Sequence, residues 1–323
     1  MTTALLAIPN LQARRINVLE AVFMAILHFL AYLPVCALVL ILGKIVHSGI
    51  GVITWEFLTQ APVEGMTKGG IFPCIFGTLS ITLLMILIAL PIGVGAAIYM
   101  VEYAKEGVWV RVIRAAVNNL AGIPSVVFGL FGMGFFILFV GHHLDEVLRT
   151  GLLFGKPCML WAAATLAILV LPVIIVSTEE ALNAVPQSHR SASMALGATK
   201  WQTIRDVVLP QAKGGILTGA ILAISRGAGE TAPILFTGCA YFLPRLPIVK
   251  LFGIIPMINP MDQFMELSYH IFIMATQSTN AQKTMPIQFG TTLVLISLTF
   301  FLNLGAILLR SHYRKSLGQV TLQ

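Results

Sequence analysis

From Gly69 to Val101 the chain carries no Asp, Glu, Lys or Arg. A helix needs about 20 apolar residues to cross a bilayer, and unpaired backbone is not tolerated in lipid. That run is therefore expected to be a membrane-spanning helix. Five others follow the same rule: Val22–Leu42 (odd only at His28 and Pro34), Ala115–Gly141, Pro157–Thr178, Gly214–Leu243 and Thr284–Leu309. The expected fold class is an all-α membrane protein with six transmembrane helices. Its spans fall at about 22–42, 74–100, 116–140, 158–178, 214–240 and 285–309, within a transmembrane domain of 22–310. Composition agrees: 10% of residues are charged, against about 25% in a soluble domain.

The net charge of +7 does not point to nucleic acid, because the basic residues sit between apolar runs and form no patch with interleaved aromatics. Their distribution instead orients the chain. Residues 1–21, the 102–114 and 179–213 loops and the tail at 311–323, counted with Arg310 at its edge, hold twelve Lys and Arg, and the opposite loops hold seven. The positive-inside rule then puts both termini in the cytoplasm. Arg14 and Arg15 precede an apolar run without a small-residue cleavage pattern, so the first span is expected to stay. Cys36, Cys74, Cys158 and Cys239 have no metal-ligand spacing. Three of them fall near one expected membrane face, where pairing is open.

Pro91, Pro124, Pro172 and Pro233 are expected inside spans, bending them. Gly129, Gly132 and Gly134 on the third span, and Gly215 and Gly219 on the fifth, suit close helix approach. Between Tyr241 and Lys283, the apolar stretch Ser268–Ala275 is too short to span and reads as an interfacial or re-entrant helix. The most informative loop runs from Glu179 to Pro210. Pro186 suits a helix start, Gln187–Leu196 a short helix, and Gly197 a left-handed end. Thr199 suits the cap of a second helix that Pro210 closes. A long ordered loop among short ones is usually functional.

Within it, Ser191-Ala192-Ser193, then Gly197-Ala198, then Val207-Val208-Leu209-Pro210 resembles the EAA loop of ABC-importer permeases. The spacing fits without gaps. Ser191 stands where the family has Glu, and Val207 where it has Ile. The resemblance implies a coupling helix that docks on a separate ATP-binding subunit, through Ser191, Ala192, Ser193, Gly197, Ala198, Leu209 and Pro210. The chain has no GxxxxGK[ST] sequence of its own.

Arg226 and Glu230 interrupt the fifth apolar run. Each costs about 2.5–3.5 kcal/mol at the bilayer centre on insertion scales, and such residues usually line a pathway. Four residues apart, they share a helix face and can pair. An arginine fork suits an oxyanion, and a nearby Glu offsets the charge so that the ion can leave. Arg226-Gly227-Ala228-Gly229-Glu230-Thr231-Ala232-Pro233 resembles the signature of the A-type phosphate-importer permease family, within the MetI-like superfamily. Asn119–Gly132 and Gly93–Tyr99 resemble its third span and the end of its second. The sister C-type permease usually lacks the Ala-Pro after Gly-Glu-Thr. The resemblance implies a multi-pass bacterial inner-membrane subunit that is not itself an enzyme. Its implied partners are a C-type permease, an ATP-binding subunit dimer and a periplasmic phosphate-binding protein. Inorganic phosphate is the implied cargo, with Arg226, Glu230 and Thr231 on the path.

His142 and His143 beside Asp145 and Glu146 suit a solvated external loop better than a metal site. His28 is expected to be a hydrogen-bonded packing residue. No cofactor site and no catalytic constellation is legible. The readings left beside phosphate are a permease for another oxyanion such as molybdate or sulfate, a secondary transporter needing no ATPase, and a membrane-bound enzyme. The second would require paired broken helices in two related halves.

Overall fold

The computed structural model describes residues 11–105, 107–251, 255–278 and 280–320. Among the described residues, six helices are long and apolar enough to cross a membrane: Glu20–Val52, Phe72–Tyr103, Ser125–Leu148, Met159–Asn183, Lys200–Gly227 and Ala281–Leu308. They are called the first to sixth spans below. Two short antiparallel hairpins lie outside them, pairing Pro62–Val63 with Lys68–Gly69 and Ile248–Leu251 with Ile255–Ile258. Residues 1–10 of the N-terminal segment and 321–323 of the tail lie outside the described residues.

The core forms where the second, fourth and fifth spans meet. Met85, Ala89, Leu166, Val170, Ile174 and Ala223 are all buried there. Small residues permit the approach. A Cβ on Gly219 would overlap Ser177 Oγ of the fourth span, and one on Gly132 would overlap Thr165 Oγ1. Gly134 faces open space, so the expected third-span glycine stripe is used only in part. The first span packs chiefly on the sixth and buries none of its most apolar window. Its apolar side chains are left for lipid or another chain. His28 there bonds the Met24 carbonyl of its own helix at 2.6 Å and is exposed, so it packs against no core.

Four expectations are corrected. The 116–140 span is two elements: Val108–Leu120 is a separate amphipathic helix, and the third span starts at Ser125 after Pro124. Arg111, Arg114, Asn118 and Asn119 make that earlier segment too polar on one side to enter lipid. Pro124 thus sets a helix start, as does Pro233, while Pro91 and Pro172 do lie inside helices. Pro210 closes nothing. A wide π turn over Ile204–Val208, with Leu209 N donating to Ile204 O, carries the helix into Leu209–Gly227. The wider ring relieves the clash that a proline makes in a regular α-turn. Lastly, His142–Leu148 is helix rather than loop. Asp145 is buried and accepts from Thr150 Oγ1 at 2.6 Å and from the backbone of Leu153, Phe154 and Gly155, which organises the turn that follows.

Candidate transport site and coupling hairpin

The fifth span does not run through 214–240. Its helix ends at Gly227, and a short helix resumes only over Ala232–Thr237. The residues between them are Ala228, Gly229, Glu230 and Thr231, and Gly229 has open space around it. Pro233 lies in the first turn of the short helix, where its missing N–H costs nothing. Arg226 therefore sits at a helix end and Glu230 beyond it. They still meet, Nε to Oε1 at 3.6 Å, with 35% and 20% of their side chains exposed. That separation is too long for a strong hydrogen bond. Arg226 can turn its donor fork toward another acceptor at little cost. Gly227 fixes where it stands, because a Cβ there would overlap the sulfur of Met85 in the second span.

Thr231 is the third residue expected on the path. Its Oγ1 donates to Ser268 Oγ at 2.8 Å, and Ser268 Oγ donates to Glu266 Oε2 at 2.5 Å. Ser268 belongs to the helix Leu267–Thr276, which Glu266 caps by accepting from Tyr269 N at 2.8 Å. This helix is the expected interfacial or re-entrant one. Leu267, Ser268, His270, Ile273 and Met274 are buried, so it lies within the protein and not at an interface. Glu266 is 2% exposed and receives a further contact from Thr78 Oγ1 of the second span at 3.4 Å. Burial pushes its carboxyl above the usual glutamate range, against the pull of these hydrogen bonds. Burial also holds His270, one turn on, down to about 4, so it lends Glu266 no charge at neutral pH. The sequence did not reveal Glu266, because glutamate is not among the residues preferred at an N-cap.

The loop after the fourth span is a helical hairpin. Gln187–Ala195 forms its first arm behind Pro186, and Gly197 turns at φ +89°. Thr199 and Gln202 form a capping box at the start of the second. Ser191 and Ala192 are exposed, Ser193 Oγ meets Thr203 Oγ1 at 3.0 Å, and Ala198 is half-buried. Leu209 and Pro210, half-buried, lie in the helix leaving the hairpin. At the tip, Leu196 is 91% exposed beside exposed Met194 and Trp201. Arg190 is the opposite case. Its guanidinium is buried, donating to Glu102 Oε1 from Nε at 3.1 Å and Nη2 at 2.8 Å, and to the carbonyls of Leu182 and Val185. Nothing local in the sequence marks that pair.

The four cysteines are free, with Cys36 exposed and the other three buried. Among the described residues no group of three His, Cys, Asp or Glu is placed to hold a metal.

A bundle with a broken span, an internal charged pair and an exposed helical hairpin between its fourth and fifth spans defines a membrane permease subunit. Residues 89–317 match the model of the binding-protein-dependent transport system inner membrane component family, and the chain belongs to that family. A solved bacterial ABC transporter involved in import of the acidic polysaccharide alginate has the same fold, with a TM-score of 0.64. The likeness covers 92% of this chain and 99% of that one at 14% identity. The MetNI methionine ABC transporter aligns at a TM-score of 0.55, 17% identity, over 74% and 94% of the two chains.

Among sequence relatives, the probable ABC transporter permease protein YqgI of Bacillus subtilis is 30% identical over 83% of this chain and 87% of its own length. The phosphate transport system permease protein PstA of Pasteurella multocida is 35% identical over 61% of this chain. That of Mycobacterium leprae is also 35% identical over 61%. The match spans 65% and 62% of these two, under two thirds of each.

Proposed function

We propose that this chain is the A-type permease subunit of an ATP-driven importer that carries inorganic phosphate across a bacterial inner membrane. The observation that carries the reading is the loosely held Arg226–Glu230 pair at the break of the fifth span, within a motif like that of phosphate permeases. Relatives named as phosphate transport permeases support it. A phosphate oxyanion would replace Glu230 as the acceptor for Arg226. The carboxylate then lowers the affinity enough for release. Thr231, held by Ser268, lines the same break.

Energy comes from a separate ATP-binding dimer. The hairpin tip with Met194, Leu196 and Trp201 is an apolar knob suited to a groove on that subunit, and Gly197 allows its tight turn. The hairpin side and both termini face the cytoplasm, as the charge bias requires. A C-type permease would complete the translocation path, and a periplasmic phosphate-binding protein would deliver the ion.

The test is reconstitution of the four components in proteoliposomes with labelled phosphate outside and ATP inside. ATP-dependent uptake, competed by unlabelled phosphate and not by molybdate or sulfate, is expected. Competition by either of those ions would overturn the choice of phosphate. Uptake by this chain alone without ATP would overturn the importer assignment.

A further inference from the structure

Arg190 immediately precedes Ser191, the first residue of the hairpin motif, and is 8% exposed. Its carboxylate partner, Glu102, lies in the last, π-helical turn of the second span, Tyr99–Tyr103. Its carbonyl partners are Leu182, in the last turn of the fourth span, and Val185, just past that helix's end; Leu182 O also accepts from Val185 N at 3.2 Å. One side chain thus ties the hairpin to two spans. A second tie runs beside it: the Lys200 ammonium of the hairpin lies 5.1 Å from the centroid of the Tyr103 ring. Packing fills this region only in part. A cavity of about 450 Å³ opens between the hairpin and the second span, lined by Glu102, Gln187, Arg190, Met194 and Lys200 among others. A displaced hairpin would act on the second span through these directed polar contacts as well as through the apolar cluster of Ala97, Met100, Val185 and Val208 at its base.

The second span leads to the candidate path. Gly93 rests on Ile174, which braces the helix within one turn of Pro91. Met85 is buried against Gly227, the residue after Arg226. Two turns earlier, Thr78 contacts Glu266, whose partner Ser268 holds Thr231. The same helix thus touches the near side of the break in the fifth span at Gly227 and is linked to the far side through Glu266 and Ser268. Rigid elements and hydrogen-bond or salt-bridge networks that contact two sites are carriers of coupling between them.

We infer that the Arg190–Glu102 ion pair is the strut through which movement of the hairpin enters the second span and reaches Arg226 and Glu230. Both members are positioning residues for transport. The inference rests on the importer reading, and its readout separates the two.

The test uses the complete complex carrying Glu102→Gln, which keeps an acceptor oxygen for Arg190 but removes the charge. Arg190 still donates to the Leu182 and Val185 carbonyls, so assembly is expected to survive. Four quantities are measured: complex yield, basal ATP hydrolysis, and the hydrolysis and the uptake stimulated by phosphate-loaded binding protein. Yield and basal hydrolysis within about twofold of wild type are expected. Phosphate taken up per ATP should fall about tenfold, inside the roughly 5–150-fold range of allosteric couplings. Wild-type uptake per ATP in Glu102→Gln would overturn the strut. So would a parallel fall of yield, basal hydrolysis and uptake that leaves their ratio unchanged, since that is a purely structural role.

If Glu102→Gln does not assemble, Glu102→Asp, which keeps the charge and shortens the reach, takes its place. A reduced ratio is expected there too, and a wild-type ratio overturns the inference. A wild-type complex that hydrolyses ATP in response to its binding protein but takes up no phosphate would sink the substrate assignment alone. The strut is then read from the stimulated-to-basal hydrolysis ratio of variant against wild type.

Discussion

Arg190–Glu102 and Arg226–Glu230 are the same pair of side chains in opposite surroundings. The first joins residues far apart in the chain, is nearly buried, and places two guanidinium nitrogens on one carboxylate oxygen at 2.8 and 3.1 Å. The second joins neighbours four residues apart across a helix end, is partly exposed, and is separated by 3.6 Å. A buried pair with its spare donors satisfied is costly to break from one side, whereas a long, partly solvated pair is not. On the proposed reading, the arginine held fixed is the one that passes force, and the arginine able to exchange partners is the one that meets the ion.

The sharpest way to break that contrast is to remove each arginine. Arg190→Ala strands the Glu102 carboxylate and removes a donor from the Leu182 and Val185 carbonyls, a loss of about 3–5 kcal/mol for a buried pair. The chain should fail to accumulate in the membrane, as read by immunoblot of membrane fractions. Arg226→Gln should leave accumulation and complex yield unchanged while phosphate uptake falls about 100-fold or more, the scale of a lost charged contact of about 3 kcal/mol. Equal effects of the two variants on accumulation would erase the distinction.

A smaller effect is expected at Gly227. Alanine there meets the Met85 sulfur, and overpacking of this kind costs about 1–3 kcal/mol. The detergent-solubilised complex should melt earlier, and Met85→Ala in the same chain should restore part of the loss.

Glu266 gives a test by pH. Its folded-state carboxyl lies above the ordinary value because of burial. Between the ordinary and the raised value the folded state holds more protons than the unfolded one. Stability should therefore fall as pH rises through that window. Glu266→Gln should flatten the slope in melting experiments, and an unchanged slope would assign it to another group. The smallest effect is expected for Lys200→Ala, which removes a cation–π contact of about 0.5–1 kcal/mol and should lower uptake per ATP only slightly.

What the sequence disclosed and what it hid divide along the range of the interactions. The spans follow from uncharged runs, and the hairpin from Pro186, Gly197 and Thr199, because turn chemistry acts over a few residues. The break after Gly227 was legible in principle from Gly227 and Gly229 but was overridden by the apolar run around it. Pro210 misled because a π turn absorbs it, and no local pattern announces such a turn. Glu102 with Arg190, and Glu266 with Thr78 and Ser268, depend on which helices are neighbours. Neither could be read from spacing, and together they frame the proposed route from hairpin to path.

The most direct measurement is ATP-dependent phosphate uptake by the reconstituted complex, wild type against Arg226→Gln, with complex yield and basal ATP hydrolysis recorded in parallel. Uptake by the wild type and its loss in the variant, at equal yield and equal basal hydrolysis, is the expected result. Undiminished uptake by Arg226→Gln would contradict the assignment of that residue to the anion path.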